Sequence, residues 1–107
     1  MDSYTVTNGS GKNFEFVGEL LVRVSNIDEQ KKKWAGFWSE YTVFIRDDGQ
    51  FIAQKAHFSL NEHNHYIGIN CADIESLVLF FDSSSLAKKL YLELSKLGYP
   101  ELEYFAN

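Results

Sequence analysis

Apolar and polar residues alternate near the start of the chain with the two-residue period of a β-strand. The even positions hold the bulky apolar side chains Phe14, Phe16, Leu20, Val22 and Val24. The odd positions between them are mostly charged or polar, so the pattern predicts one long strand with a buried face and a wetted face. Gly18 interrupts the apolar positions and predicts a bulge or bend, which would let this strand serve two parts of a curved sheet.

Further strands are predicted where alternating segments are bounded by polar turns, at residues 4–7, 37–46, 50–59 and 66–70. The acidic segment 47–49, which ends in Gly49, predicts a hairpin between two of these strands. A three-residue turn with Gly49 in the left-handed conformation would place Ile45 opposite Phe51. A two-residue turn would instead pair Ile45 with Ile52.

The segments outside these strands are predicted to be turns, a covered strand and a docked tail. Residues 8–12 are rich in glycine and predict a turn, and residues 26–36 are polar and predict a surface loop. Residues 76–81 carry bulky apolar side chains at nearly every position, which favours a strand whose second face is covered. The tail, residues 101–107, retains apolar side chains and is expected to dock as a short strand or an extended arm.

The covering element is predicted to be an amphipathic helix near the end of the sequence. Asp82 or Ser83 can cap its first turn, and Gly98 followed by Pro100 can end it. Its apolar stripe comprises Leu86, Leu90, Leu94 and Leu97, widened by Ala87 and Tyr91. Leu92 falls on the opposite, polar side, where an apolar residue is either tolerated or covered by a partner.

Together these elements predict a single α+β domain over residues 1–107. The expected architecture is a mostly antiparallel β-meander of about five strands packed against one C-terminal α-helix. A chain of 107 residues with 45% hydrophobic and 16% aromatic residues can build one compact core without disulfides or metal. Such an architecture supports many unrelated functions, so the fold class alone does not indicate one.

Charge and cysteine content restrict the partners and the compartment. The formal net charge is −5, which disfavours binding to a phosphate backbone. The first residues lack a secretory signal pattern, and the longest apolar run, 77–81, is far shorter than a membrane span. The single cysteine, Cys71, cannot form an intramolecular disulfide. We therefore expect a cytoplasmic protein without a membrane partner.

The residues with catalytic or metal-binding chemistry do not form a recognisable set. His63 and His65, with His57 and Cys71, are the only cluster of metal-capable side chains, but a solvated polar turn is the better explanation for them. Cys71 could be a nucleophile with His65 as its base, although a lone cysteine is more often a small buried side chain. The serines at 83–85 are better explained as helix caps than as nucleophiles. No catalytic residue, metal or cofactor is predicted.

The segment 31–38 is the strongest candidate for binding. Three lysines, Lys31 to Lys33, precede Trp34, Phe37 and Trp38. Such residues can stack nucleic-acid bases or dock a protein, because tryptophan is enriched among interface hot spots. The alternative is a solvated lysine loop followed by aromatic side chains that pack inside the domain. Trp34 precedes the regular strand pattern and is expected to be the most exposed of the three aromatic residues.

The function expected from these features is that of a non-enzymatic protein-interaction module. It would bind a protein partner or itself through exposed aromatics and a sheet edge, with Trp34, Phe37, Trp38 and Leu92 as partner-binding residues. Self-association as a two-fold homodimer is expected, since this is the commonest oligomer. The alternative is a small-molecule-binding protein or minor enzyme with an aromatic-lined pocket between sheet and helix.

Overall fold

A computed structural model describes residues 1–9 and 11–107 of the chain. Its five strands are β1 (Asp2–Val6), β2 (Phe14–Ser25), β3 (Phe37–Arg46), β4 (Phe51–Ser59) and β5 (His65–Cys71). They form one antiparallel sheet in the order β1-β2-β3-β4-β5, which confirms the predicted α+β class and its meander. Ser10, which belongs to the predicted turn at 8–12, lies outside the described residues.

The helical part of the fold is larger than the single helix that was predicted. It comprises α1 (Ile27–Lys32), α2 (Ile74–Phe81) and α3 (Ser85–Lys96), followed by a 3-10 helix at Pro100–Ala106. The tail docks as expected, since Leu102 is fully buried, but it is helical rather than extended. None of the helices in the described part of the chain is long and apolar enough to cross a membrane.

The strand predicted at residues 76–81 is wrong, because these residues belong to α2. Asp73 caps this helix: its carboxylate accepts hydrogen bonds from the Ser76 N–H at 2.9 Å and the Ser76 hydroxyl at 2.7 Å. Leu77 and Phe81 lie one turn apart and are both fully buried. Helical spacing, together with the cap, therefore outweighs the strand preference of a short apolar run.

The surface loop predicted at residues 26–36 is also wrong over most of its length. It forms α1, which has acidic residues in its first turn, basic residues in its last turn and no buried residue. That charge order complements the helix dipole, so a segment that is polar apart from Ile27 can still be helical. The Asn26 side chain holds the start of α1 to the sheet by accepting a hydrogen bond from the Ser39 N–H at 2.8 Å.

The β3–β4 hairpin has the three-residue turn that was one of the two predicted forms. Gly49 has a positive φ of 86°, and Ile45 lies opposite Phe51. The positive φ explains the glycine, since a side chain at this position would be strained. This one turn therefore determines which residues of β3 and β4 lie opposite each other.

The β2 strand contains a bulge that the alternating pattern does not reveal. Leu20 pairs with Phe44 but Val22 pairs with Val43, so Leu21 is an extra residue in β2. Even positions consequently face one side of the sheet before the bulge and the other side after it. Gly18 is not the bulge: a Cβ there would collide with the Ile45 carbonyl oxygen, so glycine is needed for the close approach of β2 and β3.

Two hydrophobic clusters form on opposite sides of the sheet. The larger cluster packs β2, β3 and β4 against α2 and α3, with Val43, Leu77, Leu90 and Tyr91 fully buried. Leu97, predicted to belong to the stripe of α3, is 54% exposed because α3 ends before it. The smaller cluster consists of Val6, Phe16, Phe44 and Ile52, with Tyr4 and Phe14 packed against it.

The sheet curls so that its first strand approaches its last. The Gly9 N–H donates to the Tyr66 carbonyl at 2.9 Å, which connects the loop after β1 to β5. The Gln54 amide of β4 donates to the Thr7 carbonyl at 3.0 Å. The β1–β2 hairpin therefore lies over the face of the sheet opposite the helices and covers the smaller cluster.

Candidate interaction surface

Trp34 lies at the end of α1 in a backbone conformation that glycine normally adopts. Its φ is 56°, in the left-handed region. The Trp34 N–H donates to the Lys31 carbonyl at 3.1 Å, and the Ala35 N–H donates to the Gln30 carbonyl at 3.0 Å. This pair of hydrogen bonds is the Schellman motif, in which the left-handed residue is usually glycine. The Trp34 side chain is 95% exposed.

Two further apolar side chains are exposed near Trp34, where β3 begins and β4 ends. Phe37, the first residue of β3, is 61% exposed, and Leu60, just after β4, is 74% exposed. The two strand ends are joined by the Leu60 N–H, which donates to the Gly36 carbonyl at 2.9 Å. We call Trp34, Phe37 and Leu60 the apolar tip. Leu60 was not among the sequence-predicted binding residues, because it falls in the polar turn that separates the predicted strands at 50–59 and 66–70.

The other two predicted binding residues lie on other elements or faces than the apolar tip. Trp38 follows Phe37 in β3 and therefore points to the opposite face of the sheet. It is half-buried and stacks on Phe58, with ring centroids 5.5 Å apart. Leu92 is 42% exposed on the outer side of α3, in agreement with its predicted place on the polar side of that helix.

The lysine run places positive charge next to Trp34, on one side of the apolar tip. Lys31 and Lys32 end α1, Lys33 is its C-terminal cap residue, and all three side chains are exposed. Among the described residues, no carboxylate lies within ion-pair distance of these ammonium groups. Their charge is therefore available to a partner, in a chain whose net charge is negative.

The histidines line an open groove but do not form a metal centre. His57 and His65 are direct neighbours across β4 and β5, and His63 lines the same groove of about 710 Å³. The Ser39 hydroxyl lies 2.7 Å from His57 Nδ1. Burial lowers the pKa of His57, helped by the charges of Lys55 and His65. Within the residues described, no group of three or more His, Cys, Asp or Glu could hold a metal ion.

The surroundings of Cys71 and of the serines at 83–85 indicate structural roles rather than catalytic ones. Cys71 is buried, and burial raises the pKa of its thiol to about 11, so the reactive thiolate is scarce at neutral pH. His65 lies at the opposite end of β5, about 20 Å away at 3.3 Å per residue, and cannot act as its base. Ser84 caps α3 by accepting a hydrogen bond from the Ala87 N–H at 3.1 Å.

A second surface feature lies between α2 and the 3-10 helix. This groove of about 500 Å³ is lined by Asp73, Ile74, Glu75, Val78, Glu101 and Phe105. Ile74 and Val78 lie one turn apart, so they share one side of α2 and, with Phe105, form the apolar part of the groove. The three acidic residues form its rim. Sequence reasoning missed this groove because it assigned α2 to a strand; the helix cap at Asp73 was the available signal.

No protein-family model, curated protein or solved structure matches this chain significantly. The physical properties of the apolar tip and of the groove are therefore the basis for a functional proposal.

Proposed function

We propose that this protein is a small non-enzymatic interaction module that docks a protein partner, or a second copy of itself, through the apolar tip. The observation that carries this proposal is the nearly complete exposure of the Trp34 side chain, 95%, on a backbone with φ of 56°. Tryptophan is the residue type most enriched among interface hot spots. Phe37 and Leu60 extend the apolar area around it.

A tryptophan at this position is unfavourable for the isolated chain in two ways. The left-handed conformation costs an L-residue about 1–2 kcal/mol relative to the right-handed one. Leaving the indole in water also forfeits about 25 cal/mol for each Å² of apolar surface that a partner could cover. Glycine would form the same Schellman hydrogen bonds without strain. A residue that is unfavourable on both counts is expected where its side chain serves binding.

The packing of the interior supports an interaction module over a small-molecule-binding protein. The aromatic-lined pocket of the alternative would lie between the sheet and the helices. The side chains that meet there, among them Val43, Ala53, Leu77, Phe81 and Leu90, are fully buried and pack in one cluster. The grooves described above open at the surface instead. Surface docking is therefore better supported than an enclosed ligand site.

We further propose that the module acts in the cytoplasm and binds protein rather than nucleic acid. The formal net charge of −5 opposes association with phosphates, and the lysine run is too short to reverse it. Cys71 is a free thiol, as is usual in a reducing compartment.

Comparative affinity capture from the native host tests this proposal. Wild-type protein and the Trp34→Gly variant serve as baits, and bound proteins are quantified by mass spectrometry. The control bait is Tyr104→Ala, which removes another exposed aromatic ring, at 80% exposure, outside the apolar tip. Partners should be lost from Trp34→Gly and retained by Tyr104→Ala. Equal recovery on all three baits would contradict docking through Trp34.

A further inference from the structure

The groove between α2 and the 3-10 helix combines apolar and acidic side chains. Its apolar residues, Ile74, Val78 and Phe105, lie between acidic residues on both helices. Its volume of about 500 Å³ falls within the range of ligand pockets, roughly 300–1,000 Å³. Phe105 is 40% exposed, so part of its ring is available for contact. An apolar ligand with adjacent positive charge would match this arrangement.

The carboxylates of the groove are available for such a ligand. Glu75 lies in the first turn of α2 and Glu101 in the first turn of the 3-10 helix. In the described part of the chain neither carboxylate is paired with a lysine, arginine or histidine. Asp73 adds a third negative charge but is already engaged as the cap of α2. Two acidic groups without an ion pair therefore line the apolar groove, one from each helix.

The Trp34 segment carries the complementary features on the same chain. Its exposed indole follows three exposed lysines, none of which is paired among the described residues. The overall charge of the chain is −5, so this run is a local positive region on a negative molecule. Opposite charges steer two copies toward an arrangement in which the lysines meet the acidic rim.

We infer that the groove between α2 and the 3-10 helix is the docking site for the Trp34 segment of a second copy of this chain. The indole contacts Ile74, Val78 and Phe105, and the lysine run faces Glu75 and Glu101. This inference rests on the proposed function, since it names a second copy as the partner of the apolar tip. Reciprocal insertion gives a closed two-fold dimer, whereas one-way insertion gives an open chain of molecules.

Sedimentation velocity over a range of concentrations tests this inference. The wild-type protein should sediment as species heavier than the 12.3 kDa chain as concentration rises. Trp34→Ala and the double variant Glu75→Lys with Glu101→Lys should each weaken association at least about tenfold. The control Ile67→Ala, which removes an apolar side chain that is 45% exposed on β5 and lies outside both the groove and the apolar tip, should associate like wild type. Salt should weaken association, because it screens the lysine–carboxylate attraction.

Mixing the two defective variants gives a stricter test that does not depend on folding defects. The Trp34→Ala chain keeps an intact groove, and the Glu75→Lys, Glu101→Lys chain keeps an intact Trp34 segment. An equimolar mixture should therefore form a mixed species that neither variant forms alone. No mixed species, or a double variant that associates like wild type, would overturn the inference.

The outcomes separate this inference from the proposed function. A wild-type chain that stays at the mass of a monomer at all concentrations overturns docking between copies, while affinity capture still tests docking to another protein. Association that is lost in Trp34→Ala but unaffected by the groove variant overturns the groove as the site and leaves the apolar tip as the docking surface.

Discussion

At the scale of single residues, two left-handed positions are occupied in opposite ways. Gly49, with φ of 86°, closes the β3–β4 hairpin and has no side chain to strain. Trp34, with φ of 56°, carries the largest side chain of any residue type. Gly49 adopts the backbone conformation that the turn requires without strain. Trp34 satisfies the hydrogen bonds at the end of α1 but at the expense of conformational energy, which is the reason for assigning it a role outside folding.

Replacing Trp34 by glycine should make the isolated protein more stable. Glycine relieves the left-handed strain, so the free energy of unfolding should rise by about 1 kcal/mol. Urea denaturation followed by circular dichroism measures this change. The comparison is Phe37→Ala, an exposed residue at the tip with a negative φ, for which no such gain is expected. A lower stability for Trp34→Gly would show that the indole supports the fold.

Leu90 and Leu92 lie two residues apart on α3 but on different sides of it. Leu90 is fully buried against the sheet, whereas Leu92 is 42% exposed. Leu90→Ala should therefore lower the free energy of unfolding by about 2–5 kcal/mol. Leu92→Ala, the matched control, should change it by less than about 0.5 kcal/mol at a concentration where the protein is monomeric. A larger loss for Leu92 would show that the two sides of α3 are reversed.

At the scale of elements, the sequence predicted those structures that local rules determine. The β3–β4 hairpin depends on one turn with Gly49, and α3 depends on regular leucine spacing, so both were found. Helix α2 was missed because a short run of bulky apolar residues suits a covered strand and a buried helix equally well. Its cap at Asp73 would have decided the question in favour of a helix.

The β2 bulge shows why a correct strand can still have its faces assigned wrongly. Apolar residues continue at even positions on both sides of Leu21. The extra residue moves Val22 and Val24 to the helix side, while Phe16 stays on the other side. Both sides of the sheet have a hydrophobic cluster, so the unbroken pattern concealed the change. Composition could not show that the sheet has two buried faces.

The cap of α2 should make the stability of the protein depend on pH in the acidic range. The pKa of Asp73 lies below its ordinary value of 3.8, chiefly because the Ser76 hydroxyl and N–H donate to its carboxylate. A pKa lowered in the folded state means that the cap stabilises the fold above pH 3.8 and that this contribution is lost as pH falls through the folded pKa.

The difference in stability between wild type and Asp73→Ala should therefore be largest near neutral pH and should shrink in acid. Urea midpoints of both proteins at about pH 6 and about pH 3 measure it. The control is Asp28→Ala, which removes a carboxylate from the first turn of α1, where the cap residue forms no side-chain hydrogen bond. A difference that stays constant across this range would contradict a charged cap at Asp73.

At the scale of the whole molecule, the two hydrophobic clusters share their strands. β2, β3 and β4 each contribute side chains to both clusters. If one cluster came apart, one face of β2, β3 and β4 would be exposed to water, and these same strands support the other cluster. The clusters should therefore unfold together as one cooperative unit, although they lie on opposite sides of the sheet.

A mild substitution in the smaller cluster tests this cooperativity. Ile52 is fully buried there, and Ile52→Val should lower the free energy of unfolding by about 0.5–1.5 kcal/mol. Transitions followed by far-ultraviolet circular dichroism and by tryptophan fluorescence should remain superimposable in this variant, as in wild type. Separate transitions would show that the β1–β2 hairpin and its cluster unfold independently of α2 and α3.

The candidate site could be predicted only in part. Trp34 stood out because it precedes the regular alternation of β3, and its exposure agrees with that interpretation. Trp38 was grouped with it because the residues are close in sequence, but strand geometry turns Trp38 to the other face. The groove was beyond sequence reasoning, since Glu75 and Glu101 are far apart in the sequence and line one groove only in the folded chain.

The curvature of this sheet depends on the one extra residue, Leu21, that β2 contains relative to β3. Leu20 and Val22 pair with consecutive residues of β3, so a chain without Leu21 would keep every remaining β2 side chain on its present face. What it would lose is the local bend and added twist that a bulge supplies. The β1–β2 hairpin would then be aimed differently relative to β5. One residue, whose removal would leave the other β2 side chains on their present faces, thus adjusts the shape of the molecule, while its own side chain packs at the edge of the larger cluster.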